Sequence, residues 1–294
     1  MPNTRLRKAA AAVAVIAALG AVSACGGGKS ASAQQSGAPT GGQQPVVASA
    51  ISALLKVKSS TDQAHSAKVD AEIDQGQLGK THQSGALDWS DGYQGDVTVT
   101  PEGDSLAGAM GMNEIRYTKD AMYTRVSGKA GQGGEHWLKY DYAELDKQGA
   151  NGKAMRAQLQ SGNPNQTVLM LIASGDVKVV GKENVRGVEA THYSGLVDAG
   201  KLAADTTPGL SKTEQDQLKQ QLHDDGVSSD QIDIWVNGDN LMVKKLEQVH
   251  TAKANIRQEI YYSGYGVKVN VTAPPASETT DFAALARQPQ NATG

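Results

Sequence analysis

The chain has one cysteine in 294 residues, at position 25. A lone thiol neither closes a disulfide nor completes a cysteine-based zinc cluster, so disulfide scaffolds and zinc fingers are excluded. Phenylalanine is equally scarce, with a single residue, and all aromatics together make up 4% of the chain. A core built from this composition must be filled mainly by aliphatic side chains. There is no basic surplus: 28 Lys and Arg stand against 31 Asp and Glu, a net charge of −3. That balance argues against a nucleic-acid partner. No apolar run reaches the roughly 18 residues of a spanning helix. The sequence also lacks a His-Glu-x-x-His pair, a Gly-x-Ser-x-Gly elbow and a Ser-x-x-Lys motif. Its histidines (His65, His82, His136, His192, His223 and His250) are scattered without metal-ligand spacing. They read as structural or surface residues; neither a metal site nor an enzyme is expected.

What is present starts at the N-terminus. Arg5, Arg7 and Lys8 form a positive segment, followed by the apolar stretch Ala9 to Leu19. That stretch has the length of a signal-peptide core and is too short to cross a bilayer. Val22-Ser23-Ala24 then lead into Cys25, which resembles a bacterial lipobox with cleavage between Ala24 and Cys25. The chemistry needs a thiol nucleophile, which takes a diacylglyceryl group, and small side chains before it. The alternative is an ordinary secretory signal with a chance cysteine beyond it. One acyl chain anchors marginally and two anchor stably, at about 0.8 kcal/mol per buried methylene. Cleavage removes three basic residues and no acidic ones, leaving 25 against 31, or −6. A body of that charge gains nothing from anionic lipids, so the lipid must hold it. The expected address is the extracytoplasmic face of the cell membrane. No cofactor is expected beyond the covalent lipid on Cys25.

Residues 26–44 are almost entirely Gly, Ser, Ala, Gln, Pro and Thr. They cannot bury enough apolar surface to order themselves and read as a tether with a reach of about 22–26 Å. The domain expectation is therefore a signal peptide over 1–24, a lipidated tether over 25–44, a folded domain over 45–282 and a disordered tail over 283–294.

Within the body, Pro45 to Val57 reads as a helix, with Val46, Val47, Ala50, Ile51, Leu54 and Leu55 at helical spacing. Ala67, Val69, Ala71 and Ile73 alternate with Lys68, Asp70, Glu72 and Asp74, the pattern of a half-buried strand. Further strands are expected near His82–Trp89, Tyr93–Val99, Asn113–Thr118, Met122–Val126 and Glu135–Tyr140. Polar helix signals follow over 141–148 and 152–160, and Asn163-Pro164 opens an apolar helix to Ala173. Strands return at Asp176–Val180 and Val185–Val197. Ser211-Lys212-Thr213-Glu214 is a capping box for a polar helix that Gly226 ends. The last strands are expected at Asp230–Val236, Leu241–His250, Asn255–Ser263 and Gly266–Val271, with Pro274-Pro275 stopping the sheet. The fold class is α+β: a large curled antiparallel sheet, with the helices at Pro45 and Pro164 filling its concave face.

Three segments carry open alternatives. Asp70, Glu72 and Asp74 on one strand face suit either a calcium ion or a solvated outer surface. Gly128 to Gly134 lacks the Gly-Lys-Ser/Thr ending of a phosphate loop and reads as a hairpin loop. Leu106 to Met112 is apolar and glycine-rich, suited to a lid, a membrane-touching loop or a packed connection.

Leu169-Met170-Leu171-Ile172, Gly175-Asp176-Val177, Gly187-Val188-Glu189-Ala190-Thr191-His192-Tyr193 and Val197-Asp198 are similar to a run in the LolA/LppX-like lipoproteins, including the LprG type. The lipobox, tether, amphipathic helix and mid-chain apolar helix follow that family's order. The resemblance covers nearly all of 45–275 and implies a half-barrel closed on one side by helices, whose interior holds lipid acyl chains in some members. Ile51, Leu54, Leu55, Leu169 and Ile172 are then the candidates to line a ligand cavity, with plain core packing as the alternative. The implied partners are the membrane, through the anchor, and a lipid or glycolipid ligand. A protein-interaction or sensory lipoprotein with a closed core is the second reading; no protein partner is specified.

Overall fold

The computed structural model describes residues 43–127, 136–149, 162–198, 212–224, 226–251 and 254–287, with 152, 155, 156, 159 and 160 between them. Cys25, the signal segment, most of the tether and Gly128 to Gly134 lie outside the described residues.

Helix α1 (Gln43–Ala64) buries Ala50, Ile51, Leu54, Val57 and Thr61, one stripe at three- and four-residue spacing. It runs one and a half to two turns past the expected end at Val57. His65 stops it in a left-handed conformation (φ 63°), its amide donating to the Thr61 carbonyl at 3.2 Å.

Strands β1 (Ser66–Asp74), β2 (Lys80–Asp88), β3 (Gln94–Glu102), β4 (Glu114–Tyr117), β5 (Ala121–Val126) and β6 (His136–Asp141) follow as a meander. The short helix α2 (Leu106–Ala109) joins β3 to β4, and α3 (Tyr142–Asp146) follows β6. Helix α4 (Pro164–Ala173) is opened by the Asn163 side chain, which accepts the Asn165 amide at 3.0 Å. A second meander returns through β7 (Lys178–Val185), β8 (Val188–Asp198), β9 (Val227–Val236), β10 (Met242–Thr251) and β11 (Asn255–Ser263), with α5 (Lys212–Asp224) between β8 and β9. Strand β11 pairs antiparallel with β1, so the two meanders form one sheet. With β12 (Thr279–Asp281), which precedes α6 (Phe282–Arg287), the sheet has twelve strands. All neighbours are antiparallel except β12, which lies parallel to β6.

The α+β class and the half-barrel with helices on its inner face are what the structure has. Besides the end of α1, strand β7 runs to Val185 where its end was expected at Val180, and two further differences lie near the C-terminus. Gly266–Val271 forms no strand, because both edges of β11 are already taken by β1 and β10. That segment is held instead by Ser66, whose hydroxyl donates to the Val267 carbonyl at 2.6 Å. Pro274-Pro275 does not end the sheet: the chain continues to the far edge and pairs there as β12, and residues 283–287, expected as tail, are helical.

The main core lies on the inner face. Leu54, Val168, Leu171 and Ile172 of α1 and α4 are fully buried there with Val197, Ile232, Ile234 and Met242. The two helices are tied to each other by the Asn165 amide, which donates to Asp62 at 2.6 Å. They therefore fill the half of the barrel built by β7–β11. The outer face carries two small aromatic clusters, around Trp235 and around Trp137, covered by cationic stems. Lys244 Nζ sits 4.5 Å from the Trp235 ring centre and the Arg116 guanidinium 4.7 Å from that of Trp137.

Candidate functional site

The other half of the barrel is not filled. A cavity of about 410 Å³ lies against the inner face of β1–β5, within the size range of small-molecule sites. Its floor follows from the sheet register. Tyr262, Val69, Gly85, Val97 and Ile115 form one cross-strand row on the inner face, and Ile260, Ala71, Gln83 and Val99 form the next. Several of these side chains are small or absent, so the floor stands low and space remains above it.

The roof has two pieces. In the first, the Ser105 hydroxyl caps α2 by accepting the Gly108 amide at 3.1 Å. Ser127 at the end of β5 holds the exit, its amide donating to the Met110 carbonyl at 3.2 Å. Leu106, Ala107, Met110 and Met112 thereby line the cavity, while Leu106 remains 50% exposed at its rim. In the second, the helical residues Met155 and Leu159, four apart, face the cavity. They are positioned by Arg156, which bonds Asp146 at 2.7 Å and lies over the Tyr142 ring.

The two ends differ chemically. At one, Tyr93 and Tyr117 meet edge to face with centroids 4.9 Å apart, beside Tyr140. Burial pushes the hydroxyl pKa of all three upward, so they stay neutral. At the other end stand Gln75, Thr81, Gln83 and Gln258. Behind this end, on the outer face of the sheet, lies a second hollow of about 140 Å³, edged by Glu72, Asp74, Lys80, Glu102 and Arg257. Among the described residues, none that lines the larger cavity is charged. Such a space accepts an uncharged apolar body and penalises an ion.

None of the five residues singled out in the sequence lines this space. Ile51, Leu54 and Ile172 are buried where α1 and α4 pack together, Leu169 is half-buried, and Leu55 is 37% exposed. The Leu106–Met112 segment is the one sequence candidate that reaches the cavity, as part of its roof. The acidic residues of β1 are separated by their partners. Asp70 meets His82 at 3.1 Å and Arg186 at 2.7 Å, and Asp74 meets Lys80 at 3.0 Å, while Glu72 is exposed. No group of three metal-ligating side chains is assembled among the described residues.

A buried ionic cluster on the inner face has no counterpart in the sequence reading. Lys245 is fully buried beneath α4, its Nζ 3.0 Å from Glu247 and 3.1 Å from the Thr167 hydroxyl. That hydroxyl donates to Glu247 at 2.7 Å. Asp230, two strands from β11 on the same face, is buried beside them with Oδ1 unpartnered. Burial and Glu247 push its pKa well above the ordinary value, against a smaller opposing pull from Lys245. The signal was a Lys and a Glu at inward positions of an alternating strand. Charges on an alternating strand normally mean an outward face, so alternation alone does not reveal them.

No family model matches the chain. It is 40% identical over 250 residues to the 31.2 kDa protein in the rplA–rplJ intergenic region of Streptomyces griseus, covering 82% of each. It is 34% identical over 306 residues to the candidate lipoprotein SCO4650 of Streptomyces coelicolor, covering 97% of this chain and 98% of that one. The chain belongs to this streptomycete family. Among solved structures, this chain is similar to lipoprotein LppX of Mycobacterium tuberculosis, at 14% identity and a TM-score of 0.45 over 76% of this chain and 99% of that one. LprF of Mycobacterium bovis is similar at 15% identity and a TM-score of 0.41, over 77% and 97%.

Proposed function

We propose that this protein is a lipid-anchored surface protein that binds, and passes on, an apolar ligand at the outer face of the cytoplasmic membrane. The observation that carries the reading is the uncharged cavity of about 410 Å³, walled by aliphatic side chains and methionines. Each methylene withdrawn from water there contributes about 0.8 kcal/mol, with no directional chemistry required. Methionines suit such a wall because they repack around ligands of different shape. The role is one of sequestration, without a reaction: a chain enters past the α2 rim and lies along the low floor of β1–β3. An open interior of this kind favours a carrier over the closed-core interaction module.

The anchor is the diacylglyceryl thioether at Cys25. It is supported by the small residues before that thiol and by the lipoprotein designation of the 34%-identical relative. The test has two arms. Native mass spectrometry of gently extracted protein is expected to show a co-purifying lipid, which Ala71→Leu, raising the cavity floor, reduces; repeated absence of any lipid and of hydrophobic-probe uptake overturns the carrier. Cys25→Ser is expected to shift the protein from membrane to soluble fractions, and retention like that of the parent overturns the anchor.

A further inference from the structure

The amide side chains of the cavity are gathered at one end; its other polar groups are the tyrosine hydroxyls at the opposite end and Thr124 between. Thr81, Ile73 and Gln258 stand in one cross-strand row on the inner face of β2, β1 and β11, and Gln83 stands in the next row, opposite Ala71. Gln75, just beyond β1, continues the same end. Their chemistry is uniform: amides and a hydroxyl, with no carboxylate, ammonium or guanidinium. Gln83 is engaged, its Nε2 donating to the Thr81 hydroxyl at 3.3 Å. Gln258 is different. Its Oε1 is buried and accepts no hydrogen bond, a state that costs free energy until a donor arrives. The terminal amide torsion of glutamine is soft, so a turn of that amide presents the oxygen to a donor inside the cavity.

The charged side chains nearest this end stand on the opposite, outer face of the sheet, where Arg257, Asp74, Lys80 and Glu102 form one cross-strand row. Lys80 is held by Asp74 at 3.0 Å, and Arg257 is paired with Glu259. Glu72 and Glu102 are exposed on the same face. A phosphate or carboxylate head lodged at this end would find no cation among the described residues that line the cavity.

We infer that the glutamine end of the cavity receives an uncharged head group that donates a hydrogen bond, a hydroxyl or an amide N–H, so that the ligand is a neutral amphiphile. This rests on the cavity being the ligand site. It adds a selectivity that a purely greasy pocket would not have. Gln258 is the selecting residue, and Gln83 and Thr81 hold the rest of the polar end in shape.

The experiment compares three palmitoyl probes on the delipidated full-length protein. Monopalmitoylglycerol is neutral with donors, methyl palmitate is neutral without them, and palmitate at alkaline pH is an anion. The expected order places monopalmitoylglycerol tightest, by about tenfold over the methyl ester, the effect of satisfying one buried acceptor, with palmitate weakest. Gln258→Leu is expected to bring monopalmitoylglycerol down to the level of the ester while leaving the ester unchanged. Equal affinities for the three probes, or palmitate as the tightest, overturn the selectivity and leave the carrier reading standing. So does an equal loss of all three in Gln258→Leu, which marks a structural residue. Binding of none of them overturns the carrier reading itself. The three affinities of the unaltered protein decide the matter even where the variant fails to fold.

Discussion

Phe282 stacks on Tyr140, ring centroids 4.7 Å apart with the planes at 27°, and Tyr140 lines the tyrosine end of the cavity. The C-terminal segment thus closes a wall that the sheet alone leaves to an edge strand. It is fastened by the three-residue parallel pairing of β12 on β6 and by the contact of His136 with Thr280. Phe282→Ala is expected to lower stability by about 1 kcal/mol, the worth of an aromatic pair beyond its area. It should also speed release of a bound hydrophobic probe, because the wall loses its outer support. Urea denaturation and stopped-flow probe release check the two effects; an unchanged release rate would leave the strap without a role at the cavity.

Asp230 sets a pH dependence of unusual sign. Its cross-strand neighbours on the inner face are Val197 and Val249, and the charged groups beside it are Glu247 and Lys245. Burial holds its folded pKa well above the ordinary value of 3.8. The folded state then keeps a proton that the unfolded chain releases, so this residue's contribution to stability is greatest below pH 3.8 and is lost as pH rises toward the folded value. Asp230→Asn is expected to flatten that decline and to raise stability at neutral pH. Denaturation curves across the acid-to-neutral range measure it, and an unaltered slope in the variant would show that Asp230 does not titrate in this way.

Much of this arrangement was legible in the sequence, and the exceptions have physical causes. The expected span of β11, Asn255–Ser263, is the span observed, because alternation between turn residues is a local signal. Helices α1 and α4 were rightly turned to the inner face by their apolar stripes. Periodicity says which side of a helix is greasy, though, not which half of a twelve-strand sheet it will cover. Ile51, Leu54 and Ile172 therefore read as cavity residues and are in fact the filling. The space itself arises from Ala71, Gly85, Thr81 and Thr124, aligned by the register between successive strands, which the alternation within any one strand does not specify. Strand β12 had no local signature, since Thr279–Asp281 is ordered only by Trp137–Lys139, far upstream.

Glu259 gives the opposite pH limb, on the outer face. Burial alone would raise its pKa, but hydrogen bonds from Lys244, Tyr261 and Arg257 outweigh that and hold it at about 2. Lys244 is 2.8 Å away and the Tyr261 hydroxyl donates at 2.7 Å. A depressed folded pKa stabilises above the ordinary value of 4.5, and the gain is lost as pH falls through about 2. Glu259→Gln is expected to lose stability at neutral pH and to shift the acid unfolding midpoint less steeply than the parent. Acid titration followed by circular dichroism distinguishes the two; coincident curves would mean that the three donors do not favour the carboxylate.

The low floor of the cavity depends on how closely β2 and β3 approach. A side chain added at Gly85 would fall on the Asp96 carbonyl oxygen and within 2.8 Å of the Val97 Cα, both backbone atoms of β3 that have no freedom to move aside. Opposite, a side chain at Gly95 would meet the Ala86 carbonyl and the Leu87 side chain. The two glycines let the strands close on each other and the sheet bend at this point. Gly85→Ala is therefore expected to cost about 1–3 kcal/mol, as overpacking does, and to weaken probe binding by spreading the floor. Gly238→Ala, in the turn between β9 and β10 with open space around it, is the control and should change both by little. Equal behaviour of the two variants in urea denaturation would show that the close approach of β2 and β3 is not what shapes the cavity.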